Sequence, residues 1–194
     1  MKVLGVNGSS RRDGNTAIMI ERVFRSLEKN GIQCEMVQLA GEKINGCIAC
    51  GACARNRDGK CAIDDDMVNP MIEKMASCDG MILGSPVYFS NITPELKALI
   101  DRSGRVAKAN GYLFRRKVGA AVVAVRRAGA MPTFNDINYF FLVEQMIVPG
   151  SSYWNVGQGL DPGDVLEDEE GMRTMDDLGS NMAWILEKIN DNKN

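Results

Sequence analysis

Cys47, Cys50, Cys53 and Cys61 share one short stretch of the chain. The pattern is Cys-x-x-Cys-x-x-Cys, then seven residues, then the fourth thiol. Four thiolates in so compact a loop can wrap an iron-sulfur cluster. Gly46, Gly51 and Gly59 give the segment freedom to curl. It is not the bacterial ferredoxin run, because Cys61 is not three residues after Cys53 and no proline follows it. Two other chemistries fit the same residues: a tetrathiolate zinc site, or a redox pair such as Cys47 with Cys50. Cys34, in a strand, and Cys78, at a helix end, read as buried small hydrophobes.

The chain has 194 residues and no histidine. The commonest general base is therefore absent, and so are the usual catalytic zinc sets and the Ser–His and Cys–His nucleophile pairs. Chemistry must come from thiols, carboxylates, water or a carried cofactor. The net charge is −2, which gives no basic excess for nucleic acid. No apolar run approaches the ~20 residues of a membrane span. The N-terminus, with one lysine and a short apolar stretch, is too short for a secretory signal, so the chain is expected in the cytoplasm. Clustered cysteines in such a chain favour metal or redox chemistry over structural disulfides.

Something must position these groups. Lys2 to Asn7 reads as a buried strand, and Ile18, Ile20, Val23, Phe24 and Leu27 mark the apolar face of a helix ending before Gly31. Strands are expected at Gln33 to Leu39, Gly80 to Gly84, Val118 to Val125 and, weakened by Pro149 and Gly150, Ile147 to Tyr153. Between them, Asp64, Asp65 and Asp66 sit where helix caps belong, ahead of a helix from Met67 to Cys78. Further helices are expected behind Pro94, over Phe134 to Gln145 and over Gly171 to Ile189, with a frayed polar tail from Asn190 to Asn194. Alternating strands and helices predict an α/β, doubly wound parallel sheet covered on both faces. No linker, charge block or repeat divides the chain, so residues 1–194 are expected to form a single domain with a cysteine-rich loop at 44–63.

Two loops at one edge of that sheet have complementary chemistry. Gly8 to Thr16 joins the first strand to the first helix, where free N–H groups favour an anion. Ser9, Asn15 and Thr16 add neutral donors, and Arg11 or Arg12 adds a cationic fork. The loop matches neither the nucleotide P-loop nor the dinucleotide glycine fingerprint. A plain polar turn capped by Asn15 or Thr16 is the bland alternative. Ser85 to Asn91 follows the third strand and offers Pro86, Val87, Tyr88 and Phe89 as apolar and aromatic surface. One loop for a phosphate and one for a flat ring suit FMN. Arg126, Arg127 and Gly129 follow the fourth strand on the same edge, where the arginines are expected to approach the ring's pyrimidine side or a nicotinamide phosphate. Core packing or a subunit interface for the aromatics, and a solvated basic spot for the arginines, are the plainer readings.

Taken together, the chain resembles the iron-sulfur flavoprotein family, within the NAD(P)H-dependent FMN reductase group of flavodoxin-like proteins. The matching pieces are Gly8 to Thr16, Cys47 to Cys61 running into Asp64-Asp65-Asp66-Met67, Ser85 to Tyr88, Leu96 to Arg102 and Lys117 to Ala121. The resemblance implies a five-stranded sheet in the order 2-1-3-4-5, FMN and a [4Fe-4S] cluster. It implies Ser9, Arg11, Gly14, Asn15 and Thr16 around the FMN phosphate, Pro86 to Phe89 along the ring, and Cys47, Cys50, Cys53 and Cys61 as cluster ligands. It also implies a homodimer or homotetramer. Ser10 replaces the family's usual proline, and Arg126-Arg127-Ala128-Gly129 replaces a loop richer in glycine.

The expected function is an FMN-dependent oxidoreductase. It would take electrons from NAD(P)H or a ferredoxin-like donor and pass them, through the cluster, to a small-molecule or protein acceptor. A cluster-free NAD(P)H-dependent FMN or quinone reductase is one alternative. A thiol or zinc redox sensor is another.

Overall fold

A computed structural model describes residues 1–191. The elements in chain order are β1 (Lys2–Asn7), α1 (Asn15–Lys29), β2 (Gln33–Gln38), α2 (Ala52–Asn56), α3 (Val68–Ser77), β3 (Gly80–Pro86), α4 (Pro94–Ala109), β4 (Val118–Val125), α5 (Ala130–Val143), β5 (Val156–Gln158), a 3-10 turn (Asp164–Glu167) and α6 (Glu169–Asp191). All strand pairs are parallel, in the order β2-β1-β3-β4-β5. This is the expected order. The sheet brings the carboxyl ends of β1, β3, β4 and β5 to one edge, where ligands bind in such folds.

Both faces of the sheet are covered because the central strands are apolar on both sides. β4 is buried throughout: Val118, Ala120 and Val122 meet α1 and α6, and Ala121 and Val123 meet the opposite layer of α3, α4 and α5. On the first face, Ile20, Val23 and Leu27 pack with Met175, Leu178 and Met182. Met71, Met75, Leu96, Leu99, Phe140 and Phe141 fill the second. Gly84 allows α1 to approach β3, since a Cβ there would stand 2.6 Å from Ile20 Cδ1 and 2.8 Å from Thr16 Cγ2.

Several boundaries differ from expectation. The fifth strand is not at Ile147 to Tyr153. Ile147 makes only an isolated bridge with Val118, and the ladder resumes at Val156, which pairs with Val123. Pro149 has no N–H to donate, and the chain leaves the sheet edge there. Asn155 brings it back by donating to Ala121 O at 3.0 Å and accepting from Val123 N–H at 3.0 Å through its own carbonyl. α5 starts at Ala130 instead of Phe134, because Gly129, at φ +87°, turns the chain into the helix. None of the three aspartates is the N-cap of α3, which is Met67; Asp66, one residue earlier, accepts from Val68 N–H at 3.2 Å. The short α2 inside the cysteine loop was not expected. α6 runs through Asp191, so Asn190 and Asp191, expected in a frayed tail, are helical, and the rest of that tail, residues 192–194, lies outside the described residues.

Candidate functional site

The loop after β1 is held by its own polar groups. Ser9 N–H donates to Asn7 Oδ1 at 3.0 Å, and Arg11 N–H donates to Ser9 Oγ at 3.1 Å. Gly14 occupies the N-cap of α1, and no side chain caps the helix. The first N–H groups of a fifteen-residue helix are thus left for an anion. Ser9, Ser10, Arg11, Asn15 and Thr16 line a cavity of about 230 Å³ directly ahead of it.

The other wall of that cavity comes from the remaining strand ends: Pro86, Val87 and Tyr88 after β3, Ala124 and Arg126 of β4 and its loop, and Gly159 and Leu160 after β5. Val87 N–H continues the sheet to Ala124 O at 3.0 Å. Tyr88 and Asn91 exchange backbone hydrogen bonds of 2.9 and 3.0 Å, closing a tight turn with Phe89 and Ser90 at its tip. Both tip residues have positive φ, +49° and +59°. Gly129 lies beneath this turn, where a Cβ would come within 2.7 Å of Ser90 Oγ.

The structure therefore brings Ser9, Arg11, Asn15, Thr16, Pro86, Val87, Tyr88 and Arg126 to one cavity. Gly14 and Gly129 shape its two loops. Phe89 points away, fully exposed at the turn tip, and Arg127 is exposed outside the lining. Asn15 also ties the loop after β5 to the start of α1, donating to Asp161 O at 3.0 Å and accepting from Gly163 N–H at 2.9 Å. Arg11 does the same by donating to Leu160 O at 2.9 Å. Gly159 and Leu160 escape the sequence reading because it places the fifth strand too early. The available signal is Gly157-Gln158-Gly159 ahead of Pro162-Gly163, a strand end followed by a turn.

The cysteine loop lies beside α4. Its thiols are all free; Cys47 and Cys50 are exposed, and Cys53 and Cys61 are half-buried against the core. Positive φ at Ala49, Gly51, Arg57 and Gly59 bends the loop repeatedly. Its two ends are fastened by a fully buried ion pair. Arg102 bonds Asp66, donates to Asn45 O at 3.1 Å and Ile63 O at 2.7 Å, and directs Nε–H to Cys61 Sγ at 3.3 Å. Asp66 also accepts from Asn45 N–H at 3.0 Å. Burial pushes the Asp66 carboxyl up, but Arg102 and the N–H groups of Asn45 and Val68 outweigh it and hold it below the usual range. Asn69 clasps Cys61 itself, accepting from its N–H at 2.8 Å and donating to its carbonyl at 2.9 Å.

Among the described residues, no three His, Cys, Asp or Glu side chains converge as a site for one ion. A polynuclear cluster asks for something else, one thiolate per iron spread over its corners. Four free thiols on a repeatedly bent loop, one already accepting a hydrogen bond from a buried guanidinium, fit that donor set. Of the two remaining cysteines, expected as buried hydrophobes, Cys78 is buried and Cys34 is only half-buried; burial, then Glu28, pushes the Cys34 thiol up to about 12, and burial raises Cys78.

A family model described as NADPH-dependent FMN reductase matches residues 1–161. The chain belongs to that family. Within it, the chain is 39% identical to an iron-sulfur flavoprotein of Methanocaldococcus jannaschii, over 97% of this chain and 99% of that one. It is 35% identical to the iron-sulfur flavoprotein of Methanosarcina thermophila, over 100% of this chain and 99% of the relative. The solved structure of RosB, with bound 8-demethyl-8-formylriboflavin-5′-phosphate, superposes with a TM-score of 0.75 at 16% identity, covering 100% of this chain and 82% of that one. The chain is thus a flavodoxin-like, FMN-dependent oxidoreductase of the iron-sulfur flavoprotein kind. No helix among the described residues is long and apolar enough to cross a membrane.

Proposed function

We propose that the whole chain works as one FMN-binding domain that takes electrons from NAD(P)H and passes them on through a [4Fe-4S] cluster held by Cys47, Cys50, Cys53 and Cys61. The observation that carries the reading is the junction of the uncapped start of α1 with the Pro86–Tyr88 turn in a single cavity. When bound, FMN supplies a two-electron acceptor that can also pass single electrons, and the cluster supplies a one-electron relay.

The residues have distinct roles in this reading. The N–H groups of α1, with Ser9, Thr16 and Arg11, hold the phosphate through charge-assisted bonds. Pro86, Val87 and Tyr88 wall the ring and exclude water from one side. Arg126 faces the same cavity and favours a negatively charged ring edge or a nicotinamide phosphate. Electron transfer through FMN needs no side chain as a general base. All six cysteines are free, which suits a reducing cytoplasm.

Self-association is supported by α5 and the segment after it. Leu142, Tyr153 and Trp154 are exposed there around an apolar cavity of about 510 Å³, and Tyr139 and Val143 are exposed along the neighbouring groove of α5. Exposed apolar surface around such a cavity supports an interface. A homodimer or homotetramer is the assembly proposed.

A cluster-free flavin or quinone reductase is the second reading, favoured by the exposure of Cys47 and Cys50. Titration of apoprotein with FMN tests the shared core of both. Binding should be tight, and Thr16→Val, which keeps the shape but removes the hydroxyl, should weaken it roughly 10- to 100-fold if a charged phosphate is the acceptor. An apoprotein that takes up no FMN would overturn both.

A further inference from the structure

The four thiols are not equivalent in their surroundings. Among the described residues, Cys61 alone of the four receives a side-chain hydrogen bond, from Arg102 Nε at 3.3 Å. Arg102 is an arginine on the buried stripe of α4, with Leu99 one turn before it and Val106 one turn after. Its side chain is wholly enclosed, and so is that of Asp66. Loop fastening alone is achieved by the bonds of Nη1 and Nη2 to Asn45, Ile63 and Asp66. The remaining Nε–H is directed at sulfur.

We infer that Arg102 is a positioning residue that sets Cys61 apart as the cluster ligand with a hydrogen-bonded sulfur and so raises the reduction potential of the cluster. The inference rests on the cluster reading above. A donor to a ligating sulfur draws off negative charge and favours the reduced state, which carries one more electron. Asp66 cancels most of the distant charge of the guanidinium, so the effect is carried by the bond itself. Lysine cannot replace it: a point charge on a flexible stem can still meet Asp66 but has no rigid fork to reach Asn45, Ile63 and Cys61 together.

Anaerobic protein grown on arginine labelled with 15N in the guanidinium tests this directly. The reduced, cluster-loaded wild type should show a 15N hyperfine coupling by electron spin-echo methods, and Arg102→Lys should lose it. Redox titration of the same samples should show a lower cluster potential in Arg102→Lys, with the flavin potential unmoved. A purely structural arginine would change stability or cluster occupancy, but not the potential of the fraction that holds a cluster. If Arg102→Lys does not fold, the double variant Arg102→Gln with Asp66→Asn removes both buried charges together and should shift the potential in the same direction. A loaded cluster with no guanidinium coupling, or with an unchanged potential in the variants, overturns the role of Arg102 alone. Wild type without iron and sulfide overturns the cluster reading, and the inference falls with it.

Discussion

The hydroxyls of Ser10 and Tyr88, 78 residues apart in sequence, meet at 2.8 Å. This bond joins the loop that follows β1 to the turn that follows β3, across the mouth of the cavity. The Ser10 hydroxyl tethers the Tyr88 side chain. Tyr88→Phe should leave the thermal midpoint nearly unchanged, because the pair is exposed. It should weaken FMN roughly 2- to 10-fold through a looser turn, the range expected for one neutral hydrogen bond. Parallel FMN titration and thermal melts of the two proteins check it.

Gly84 makes the stronger structural prediction. An added methyl would drive into Ile20 and Thr16, the residues that seat the start of α1. Gly84→Ala should cost about 1–3 kcal/mol in urea unfolding, the usual range for overpacking. FMN affinity should fall with it, since Thr16 is displaced. A variant as stable and as tight-binding as wild type would show that the helix start tolerates movement.

Much of this architecture is legible in the sequence, for physical reasons. The apolar runs of β1, β3 and β4, buried on both faces, read as central strands. The phosphate and ring loops follow those strands directly. The fifth strand is easily misplaced because Ile147-Val148 is β-branched and Val156-Gly157-Gln158 is short and interrupted by glycine. Arg102 is visible in the sequence only as part of a longer matching segment. Its signal is a charge at the centre of an apolar helical stripe, which becomes meaningful once Asp66, 36 residues earlier, is known to face it. Local pattern carries no information about such a pairing.

The same pair predicts a large stability effect. Asp66→Asn leaves the Arg102 guanidinium enclosed without its counter-charge. Breaking a buried ion pair from one side costs about 3–5 kcal/mol, far more than losing an exposed pair such as Lys43–Asp65. Urea denaturation should show this, and limited proteolysis should cut first within residues 44–63, because Asp66 also holds Asn45.

Glu144 predicts a pH dependence. It is buried beside a groove between α4 and α5, its Oε2 has no hydrogen-bond partner, and burial, partly offset by Lys108, pushes its carboxyl up to about 7. The groove also presents Lys97, Asp101, Arg105, Asp136 and Tyr139. The folded protein thus keeps a proton that the unfolded chain releases near the ordinary glutamate value of about 4.3. Its contribution is unchanged below that value and becomes increasingly unfavourable as pH rises toward about 7. Glu144→Gln should therefore be more stable than wild type at pH 8, on the order of 1–3 kcal/mol, and nearly equal to it at pH 4. Equal stability at both values would mean that the carboxyl titrates normally.

The exposed apolar side of α5 predicts self-association through that face. Leu142→Asp places a charge among Tyr139, Val143 and the nearby aromatics without touching the core. Sedimentation velocity should show the oligomer of the wild type shift to monomer in the variant, with its circular dichroism unchanged. A wild type that sediments as a monomer at tens of micromolar would contradict the proposed assembly.

On the proposed function, this flavodoxin-like sheet carries a flavin at its cavity and an iron-sulfur cluster on its cysteine loop. Anaerobic purification followed by an absorption spectrum, with FMN, iron and acid-labile sulfide assayed on the same sample, tests it most directly. The sample should hold about one FMN per chain, and about four irons and four sulfides as the [4Fe-4S] stoichiometry requires, with a broad shoulder bleached by dithionite and lost in Cys61→Ser. Flavin without iron would reduce the protein to a plain reductase, and absence of both would contradict the account.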